Sequence, residues 1–329
     1  MTLQLSIACG DYDRNRPLLD GRVGIDGVEP VVMRLSPEEM FFRAMRHEAF
    51  DICELSLSSH TLRVSRGDAP YVAIPAFVSR AFRHTGIIVR TGSGIRSPAD
   101  LKGRRVGIPE WQLTANVWIR SLLQDEYGVS MQDIQWVRGG LEEPGRVEKV
   151  KLDLPDGIRI EDIGPSDTLR DMLADGRLDA FIGPRAPTSF VPGNPDLRWI
   201  FDNPTAEAQA FFRKTRIFPI MHVIGIRKSL VDAHPWLPMA VFKGFVESKR
   251  LALEQLSETS ATKVTLPFVE EQLRSARALM GDDFWTYGFQ PNRHVLDYFT
   301  AAHHAQGLSA RRVKPEELFH GSTLESYII

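Results

Sequence analysis

Cysteine is scarce in this chain. The 329 residues include two, Cys9 and Cys53, which is too few for the disulfide framework of a small secreted domain. Both lie near the ends of predicted apolar strands, where a reduced cysteine packs as a small hydrophobic side chain. We therefore expect two free thiols, rather than a bridge or a catalytic thiol, and a cytoplasmic protein.

Strong net charge and long apolar runs are also missing. The formal charge of −2 gives no electrostatic footprint for nucleic acid or for an anionic membrane. No apolar run approaches the roughly 18 residues that span a bilayer. The first ten residues have neither a basic region nor a long apolar region, so no secretory signal is expected. We predict no nucleic-acid partner and no membrane partner.

Cofactor motifs are missing as well. The run Gly92-Ser93-Gly94 lacks the spacing of a dinucleotide-binding or P-loop fingerprint. No His-x-x-x-His or His-Glu-x-x-His spacing joins His60, His84 and His222. We predict no cofactor and no metal, and a metal held by these histidines with several carboxylates is the alternative.

The composition is that of a globular protein, with 43% hydrophobic and 25% charged residues. Strands and helices alternate in the first two-thirds, which favours an α/β fold with a mainly parallel sheet. Predicted strands cover residues 3–9, 29–35, 50–55, 71–77, 84–90, 104–108, 134–137, 178–182 and 218–227. Predicted helices cover residues 36–48, 114–127, 167–175, 238–256, 269–280 and 293–306. Residues 141–164 are polar and poorly periodic, and they predict an irregular excursion with room for a hairpin.

The order of these elements predicts two lobes. Residues 1–84 plus 225–329 would form lobe I, and residues 85–224 would be inserted as lobe II. Two crossing strands, each beginning at a histidine, would form a hinge with the substrate cleft between the lobes. His84 and His222 are therefore expected near the cleft wall.

A strand-to-helix turn predicts an anion site. The strand ends at Pro109, and a helix begins around Thr114. Such a turn aims free N–H groups and the positive end of the helix dipole at a carboxylate or phosphate. Glu110 and Trp111 fill the turn, so the ligand would also meet an acid and an aromatic face.

Polar side chains follow several predicted strands, where ligands of an α/β sheet lie. Arg80 and Arg83 are the leading candidates to grip a carboxylate, because a planar guanidinium matches it in bidentate fashion. Surface or interlobe ion pairs are their alternative. Further binding candidates at strand ends or turns are Arg185, Thr114, Asp11, Glu54 and Ser56.

Several segments together resemble the 4,5-dihydroxyphthalate decarboxylases. The resemblance runs in order along the whole chain. It rests on the segments Asp11–Asp13, Glu54–Ser59, Ser79–His84, Arg105–Trp111, Ile217–His222, Trp285–Gly288 with Asn292-Arg293, and Pro315–Phe319.

The resemblance implies a fold similar to type II periplasmic solute-binding proteins, with two crossing strands at the hinge and C-terminal helices. It also implies an aromatic carboxy-lyase of phthalate degradation that takes a small aromatic dicarboxylate. One carboxylate is lost as CO2, 3,4-dihydroxybenzoate (protocatechuate) is formed, and no organic cofactor is used. A homo-oligomer is expected.

Such a reaction needs a proton donor near the ring. We predict His222 as the donor and His84 as its rival, since imidazole titrates near working pH. Glu110 is the third catalytic candidate, either to orient a histidine or to accept a phenol proton. An ordinary turn carboxylate is its alternative.

Two other functions fit the same fold. One is a cytoplasmic protein that binds or senses an aromatic acid, because fold alone does not fix function. The other is an enzyme similar to the pyrimidine-precursor synthases of thiamine metabolism. Those need a cysteine-rich iron site, and two cysteines argue against it.

Overall fold

The computed structural model describes residues 2–148 and 152–325. The strands are β1 (Leu3–Cys9), β2 (Val28–Arg34), β3 (Ile52–Ser56), β4 (Tyr71–Arg80), β5 (Ile87–Arg90), β6 (Arg105–Ile108), β7 (Gln135–Arg138), β8 (Ile160–Asp162), β9 (Ala180–Ile182), β10 (Leu197–Trp199) and β11 (Ile220–Arg227). The helices are α1 (Arg16–Leu19), α2 (Pro37–His47), α3 (Leu57–Arg66), α4 (Thr114–Tyr127), α5 (Leu169–Ala174), α6 (Pro204–Thr215), α7 (Lys228–Ala233), α8 (Leu237–Leu256), α9 (Val269–Met280) and α10 (Arg293–Ala305).

The chain divides into two compact α/β units. Unit 1 consists of Met1–Arg80, Ile220–Asp297 and Val313–Ile329, and unit 2 of Ala81–Pro219 and Tyr298–Arg312. The predicted lobes had their limits at 84/85 and 224/225 and kept all C-terminal residues in lobe I. The structure instead assigns residues 298–312 to unit 2.

Unit 1 contains a five-stranded mixed sheet in the order β2-β1-β3-β11-β4. β1 runs parallel to β2 and β3, whereas β11 runs antiparallel to both β3 and β4. Four of its five strands therefore run in the same direction, as a mainly parallel sheet requires, and β11 runs the other way because it is supplied by a distant part of the chain that returns in the opposite direction. β3 is buried along its whole length between two neighbouring strands.

Unit 2 contains a six-stranded mixed sheet in the order β10-β5-β9-β6-β7-β8. β6, β7, β8 and β9 pair in parallel, and β5 is antiparallel to β9 and β10. The predicted excursion, residues 141–164, ends in β8, which extends the sheet beside β7. The prediction of a hairpin is wrong for the described part of this segment, because β8 pairs with β7 in parallel. Residues 149–151 lie outside the described residues.

Neither β5 nor β11, the strands found where crossing strands were predicted, passes between the units. β5 begins at Ile87 and lies entirely in unit 2, while β11 begins at Ile220 and lies entirely in unit 1. The chain passes between the units after Arg80, before Ile220, after Asp297 and before Val313. His84 belongs to a short 3₁₀ turn before β5, because the apolar run that forms the strand begins three residues later.

Residues 298–312 complete the packing of unit 2. The indole of Trp111 donates to the carbonyl of Gln306 at 3.0 Å, and Arg120 Nε donates to the Gln306 side chain at 2.7 Å. The Arg120 guanidinium also lies over the Trp111 ring, 3.7 Å from its centroid. A buried cation is thereby held by neutral acceptors and an aromatic face rather than by a carboxylate.

Local sequence signals explain several helix ends. Ser36 caps α2 by accepting from the Glu39 N–H, and Pro37 takes the first helical position. The prediction missed α3, where Ser56 accepts from the Ser59 N–H at 3.4 Å and caps the helix. That helix has a mixed polar sequence, so its period is hard to read. Among the described residues, no helix is long and apolar enough to cross a membrane.

Gly225 lies where β11 crosses the buried core of unit 1. A Cβ atom there would lie 2.3 Å from Leu55 Cδ1 and 3.1 Å from Tyr71 Cβ. We predict that Gly225→Ala lowers the free energy of unfolding by about 1–3 kcal/mol, because overpacking a filled core forces side chains off their rotamers. Urea unfolding measures this. Gly92→Ala is the control, since a Cβ at Gly92 meets nothing within 4 Å, and equal stability of the two variants would contradict the prediction.

Candidate active site

A buried carboxylate stands at the centre of the unit 1 sheet. Glu54 lies on β3 and is 0% exposed. Its Oε2 accepts from the Gly10 N–H at 2.9 Å, and its Oε1 accepts from the Tyr12 hydroxyl at 3.0 Å. His222 Nδ1 lies 2.5 Å from the same Oε1. Three donors therefore converge on one side chain.

His222 reaches this carboxylate from β11. Its register partner on β3 is Ser56, and the pairing of β11 with β4 is irregular on both sides of His222. Such irregularity re-aims a side chain. The imidazole meets the Phe41 ring edge-on at 4.8 Å between centroids and is 18% exposed. Within the described residues, Nε2 makes no hydrogen bond.

The electrostatics of Glu54 fix which nitrogen of His222 exchanges a proton. Burial by itself would raise the pKa of the Glu54 carboxyl, but the hydrogen bonds from His222, Gly10 and Tyr12 outweigh it, and the pKa is lowered. Glu54 is therefore ionised at neutral pH. A carboxylate accepts, so Nδ1 carries a proton and Nε2 is the nitrogen that can gain or lose one.

Tyr12, which donates to Glu54, is not among the site residues predicted from the sequence. Burial, followed by the Glu54 charge, raises the pKa of its hydroxyl above the ordinary value. The hydroxyl therefore stays protonated and donates. Arg14 lies over its ring at 4.5 Å and over the Trp285 ring at 4.2 Å. The sequence signal was the position of Gly10 and Tyr12 just after β1, beside the strand that carries Glu54.

Arg80 ends β4 and is buried in unit 1. Its Nη2 donates to the Thr286 carbonyl at 2.8 Å and also to the Asn292 side chain. Burial lowers the pKa of Arg80 to about 9, which leaves it charged at neutral pH. These bonds tie the segment around residues 286–292 to the end of β4.

The other unit 1 candidates differ in exposure. Asp11 is exposed and pairs with Arg16 at 3.0 Å. Ser56 is buried and caps α3 through its hydroxyl. Ser56 therefore has a structural role, and Asp11 has an ordinary surface ion pair.

In unit 2, Glu110 is 0% exposed at the turn after β6. Arg146 binds its Oε1 through Nε at 2.7 Å and through Nη2 at 2.6 Å. The Gln112 side chain donates to Oε2 at 3.3 Å. Glu110 is therefore an ion-pair partner of the Arg146 guanidinium. This pairing is not visible in the sequence, because 36 residues separate the two side chains.

The predicted anion site at this turn holds a carboxylate of the chain itself. The N–H groups of Trp111 and Gln112 donate to the two oxygens of Glu148 at 2.7 and 3.2 Å. Arg138 lies 3.3 Å from Glu148. Burial is the largest effect on the Glu148 carboxyl, and its pKa is raised. Thr114 begins α4 as predicted and is buried.

The remaining unit 2 candidates are His84, Arg83 and Arg185. His84 is 2% exposed and packs against Phe201 and Phe211 at 5.4 and 5.8 Å between centroids. Among the described residues, neither of its ring nitrogens has a hydrogen-bond partner. Arg83 is half-buried, which lowers its pKa to about 10, and Arg185 is exposed after β9.

The described residues, 2–148 and 152–325, contain no group of three or more His, Cys, Asp or Glu side chains that could hold a metal ion. Cys9 and Cys53 are free and buried, as predicted. Burial raises the pKa of both thiols, so both are protonated at neutral pH.

Acid should destabilise unit 2 through His84. Burial lowers the pKa of His84 to about 4, below the value of about 6.5 in an unfolded chain. Between these values the unfolded state binds a proton that the folded state refuses, so stability is lost as pH falls from about 6.5 to 4. We predict that His84→Leu removes about 2–3 kcal/mol of this pH dependence.

Urea unfolding at pH 7.5 and pH 5 measures the difference. His60 is also buried with a lowered pKa, so part of the acid sensitivity stays in His84→Leu. His47→Gln, at the exposed end of α2, should behave as wild type. An unchanged pH dependence in His84→Leu would contradict the prediction.

Known proteins give independent information on the family. A family model described as NMT1/THI5 like matches residues 44–145. The 4,5-dihydroxyphthalate decarboxylase of Comamonas testosteroni is 57% identical over 327 residues, which cover 99% of each chain. The 4,5-dihydroxyphthalate decarboxylase of Pseudomonas putida is 53% identical over 211 residues, which cover 64% of this chain and 82% of that protein.

Solved structures show the fold. The sulfonate-binding protein SsuA of Escherichia coli has a TM-score of 0.54 at 15% identity, with 99% of this chain and 95% of that chain covered. SsuA of Xanthomonas axonopodis pv. citri has a TM-score of 0.52 at 14% identity, with 96% and 98% covered. The expected type II periplasmic-binding-protein-like fold is confirmed. Because 57% identity extends over nearly the whole of both chains, this protein belongs to the 4,5-dihydroxyphthalate decarboxylase family.

Proposed function

We propose that this protein is a carboxy-lyase that converts 4,5-dihydroxyphthalate to 3,4-dihydroxybenzoate and CO2. The observation that carries the proposal is the His222–Glu54 pair, a partly exposed imidazole held by a buried, ionised carboxylate at 2.5 Å. The relatives in Comamonas testosteroni and Pseudomonas putida bear the name of this activity. The pair supplies a proton donor, which the loss of CO2 from an aromatic ring requires.

Direct loss of CO2 from an aromatic ring would leave an aryl carbanion of very high energy. Protonation of the carboxyl-bearing carbon avoids this, because it gives a non-aromatic cation that a para hydroxyl stabilises. In 4,5-dihydroxyphthalate each carboxyl-bearing carbon has a hydroxyl para to it. The C–C bond then breaks, its electron pair returns to the ring, and CO2 leaves. One proton enters and one CO2 departs, which balances the reaction.

We assign the proton to His222 Nε2. Glu54 holds Nδ1, so the imidazole is oriented and the positive charge of its protonated form is stabilised. Glu54 thereby has a positioning role instead of the substrate-binding role predicted from sequence. We favour His222 over His84, because His84 lies between two phenylalanine rings. A general acid contributes about 10²–10⁴-fold in rate.

Recognition of the substrate carboxylates is assigned to guanidinium and hydroxyl groups. Arg83, Arg185 and Thr114 stay our proposals for this role. The Glu110 carboxylate holds Arg146 through two short contacts. We therefore assign Glu110 the role of positioning Arg146, and no longer the role of accepting a phenol proton. Arg80 has protein acceptors in unit 1, so its expected effect is on stability.

Cytoplasmic location and a homo-oligomeric state also stay proposals. Two free, buried cysteines support a reducing compartment. Sedimentation velocity of the purified protein measures the number of subunits directly.

The role of His222 predicts a specific loss of rate. His222→Gln should lower kcat by at least about 10²-fold, because amide groups do not donate protons at working pH. Glu54→Gln should lower kcat less, since the imidazole is still present but loses the carboxylate that orients it and stabilises its protonated form. Release of CO2 and formation of 3,4-dihydroxybenzoate measure both. In D2O the product should carry deuterium at the vacated ring carbon.

The matched control is His47→Gln, an exposed histidine at the end of α2, which should keep wild-type kcat. A near-normal kcat for His222→Gln would transfer the role to another residue. Tight binding of 4,5-dihydroxyphthalate by wild-type protein without turnover would overturn the proposed activity in favour of a binding function.

The carboxylate-binding roles predict an effect on KM. Arg83→Lys and Arg185→Lys should each raise KM about tenfold or more with a smaller change in kcat, because lysine keeps the charge but lacks the planar fork. Arg80→Lys should mainly lower the unfolding midpoint. Arg274→Lys, on the exposed face of α9, is the control. Unchanged KM in Arg83→Lys and Arg185→Lys would remove both residues from substrate binding.

A further inference from the structure

We propose that Tyr12 is a positioning residue for the His222–Glu54 pair, and that Gly10, Arg14 and Trp285 hold Tyr12 in place for this role. The inference rests on the proposed proton transfer by His222. It extends that proposal by naming the groups that set how readily the imidazole releases its proton. All of them lie in unit 1.

Two donors share one acceptor atom of Glu54. The Tyr12 hydroxyl and His222 Nδ1 both point to Glu54 Oε1, at 3.0 and 2.5 Å, while the Gly10 N–H takes Oε2. Each donated hydrogen bond withdraws part of the carboxylate charge. Less charge is then available to stabilise the protonated imidazole. Tyr12 therefore weakens the hold of Glu54 on the proton that His222 must give up.

The backbone at Gly10 leaves room for the phenol ring of Tyr12. A Cβ atom at position 10 would lie 2.5 Å from Tyr12 Cζ and 2.7 Å from the Tyr12 hydroxyl oxygen. The Tyr12 N–H also donates to the Gly10 carbonyl at 2.9 Å. The ring folds back over its own backbone, and only glycine at position 10 leaves room for it.

The side chains of Tyr12, Arg14 and Trp285 form a stack. The Arg14 guanidinium lies between the rings of Tyr12 and Trp285, 4.5 and 4.2 Å from their centroids. Arg14 Nε donates to the Val78 carbonyl at 2.6 Å, and the Trp285 indole donates to the Phe77 carbonyl at 2.9 Å. Two successive carbonyls of β4 thus fix the stack, and a cation over the ring makes the phenol a better donor.

The titratable groups around Glu54 in unit 1 bear on any change in pH dependence. Besides His222 and Tyr12, the charge of Glu54 acts on three further groups. They are Cys9 on β1, Cys53 on β3 and Tyr287 in the segment before α10. The pKa of each is raised, with burial as the largest cause, so all three stay neutral through the working range.

The test measures kcat and KM against pH for wild type and Tyr12→Phe. Loss of the hydroxyl leaves Glu54 with more charge for the imidazole, so the proton is held more tightly. The kcat plateau at low pH should fall about threefold to tenfold, because the rate of a proton transfer falls no faster than the acidity of its donor. The fall of kcat at high pH should move upward by about 0.5–1 pH unit. KM should stay within about twofold.

The supporting residues should act through Tyr12. Gly10→Ala and Arg14→Gln should each lower kcat and move the high-pH fall in the same direction as Tyr12→Phe. The double variant Tyr12→Phe/Arg14→Gln should have the kcat of Tyr12→Phe, because residues in one network are not additive. Full additivity of the two losses would overturn the supporting role of Arg14.

Two control variants match the chemistry of the substitutions. Tyr127→Phe removes a tyrosine hydroxyl that donates to an exposed carboxylate of unit 2, and Arg22→Gln removes an exposed arginine that pairs with Asp20. Both should keep the wild-type pH profile. A change of KM alone in Tyr12→Phe would make Tyr12 a substrate contact and would overturn the inference, as would an unchanged pH profile.

A readout without turnover separates this inference from the proposed function. The His222 Nδ1 proton should give a far-downfield proton resonance in the protein alone, and this resonance should vanish in His222→Gln. In Tyr12→Phe it should move further downfield, because the remaining bond to Oε1 tightens. A resonance at the wild-type position would overturn the role of Tyr12. Failure of wild-type protein to release CO2 would overturn the decarboxylation alone.

Discussion

The structure of unit 1 depends on one constraint, a carboxylate buried in the middle of a sheet. Removing an ionised side chain from water is expensive unless hydrogen bonds replace the lost solvation. Glu54 meets this requirement with a backbone N–H, a phenol and an imidazole. The same contacts that make the buried charge tolerable also orient His222. The burial of the charge and the orientation of the imidazole are therefore consequences of a single arrangement.

Much of the fold is visible in the sequence, because its signals are local. α4 begins at Thr114 and α9 spans Val269–Met280 as predicted, since apolar period and flanking residues define both. The identities of Glu54 and His222 as candidates were also predicted. Their pairing was not, because 168 residues separate them and the register of β3 with β11 is set by the whole sheet. The direction of β11 was missed for the same reason.

Unit 2 shows a different limit of sequence reasoning. The turn after β6 was expected to bind an anion. Its free N–H groups do bind a carboxylate, because any turn that leaves N–H groups without a helical partner favours negative charge. The sequence could not show that Glu148 of the same chain supplies the carboxylate. Likewise, a guanidinium at the end of β4 can donate its hydrogen bonds either to a ligand or to nearby acceptors of the protein. For Arg80, the segment around residues 286–292 provides such acceptors.

The contribution of residues 298–312 to unit 2 has a consequence for biosynthesis. Although most of unit 2 is translated by Pro219, the buried Trp111 and Arg120 obtain their partner Gln306 only after residues 220–297 of unit 1 have also been translated. Unit 2 therefore completes its core late, and the nascent chain must carry a polar, unsatisfied interior through much of its synthesis. Chaperone dependence is expected from such a delay.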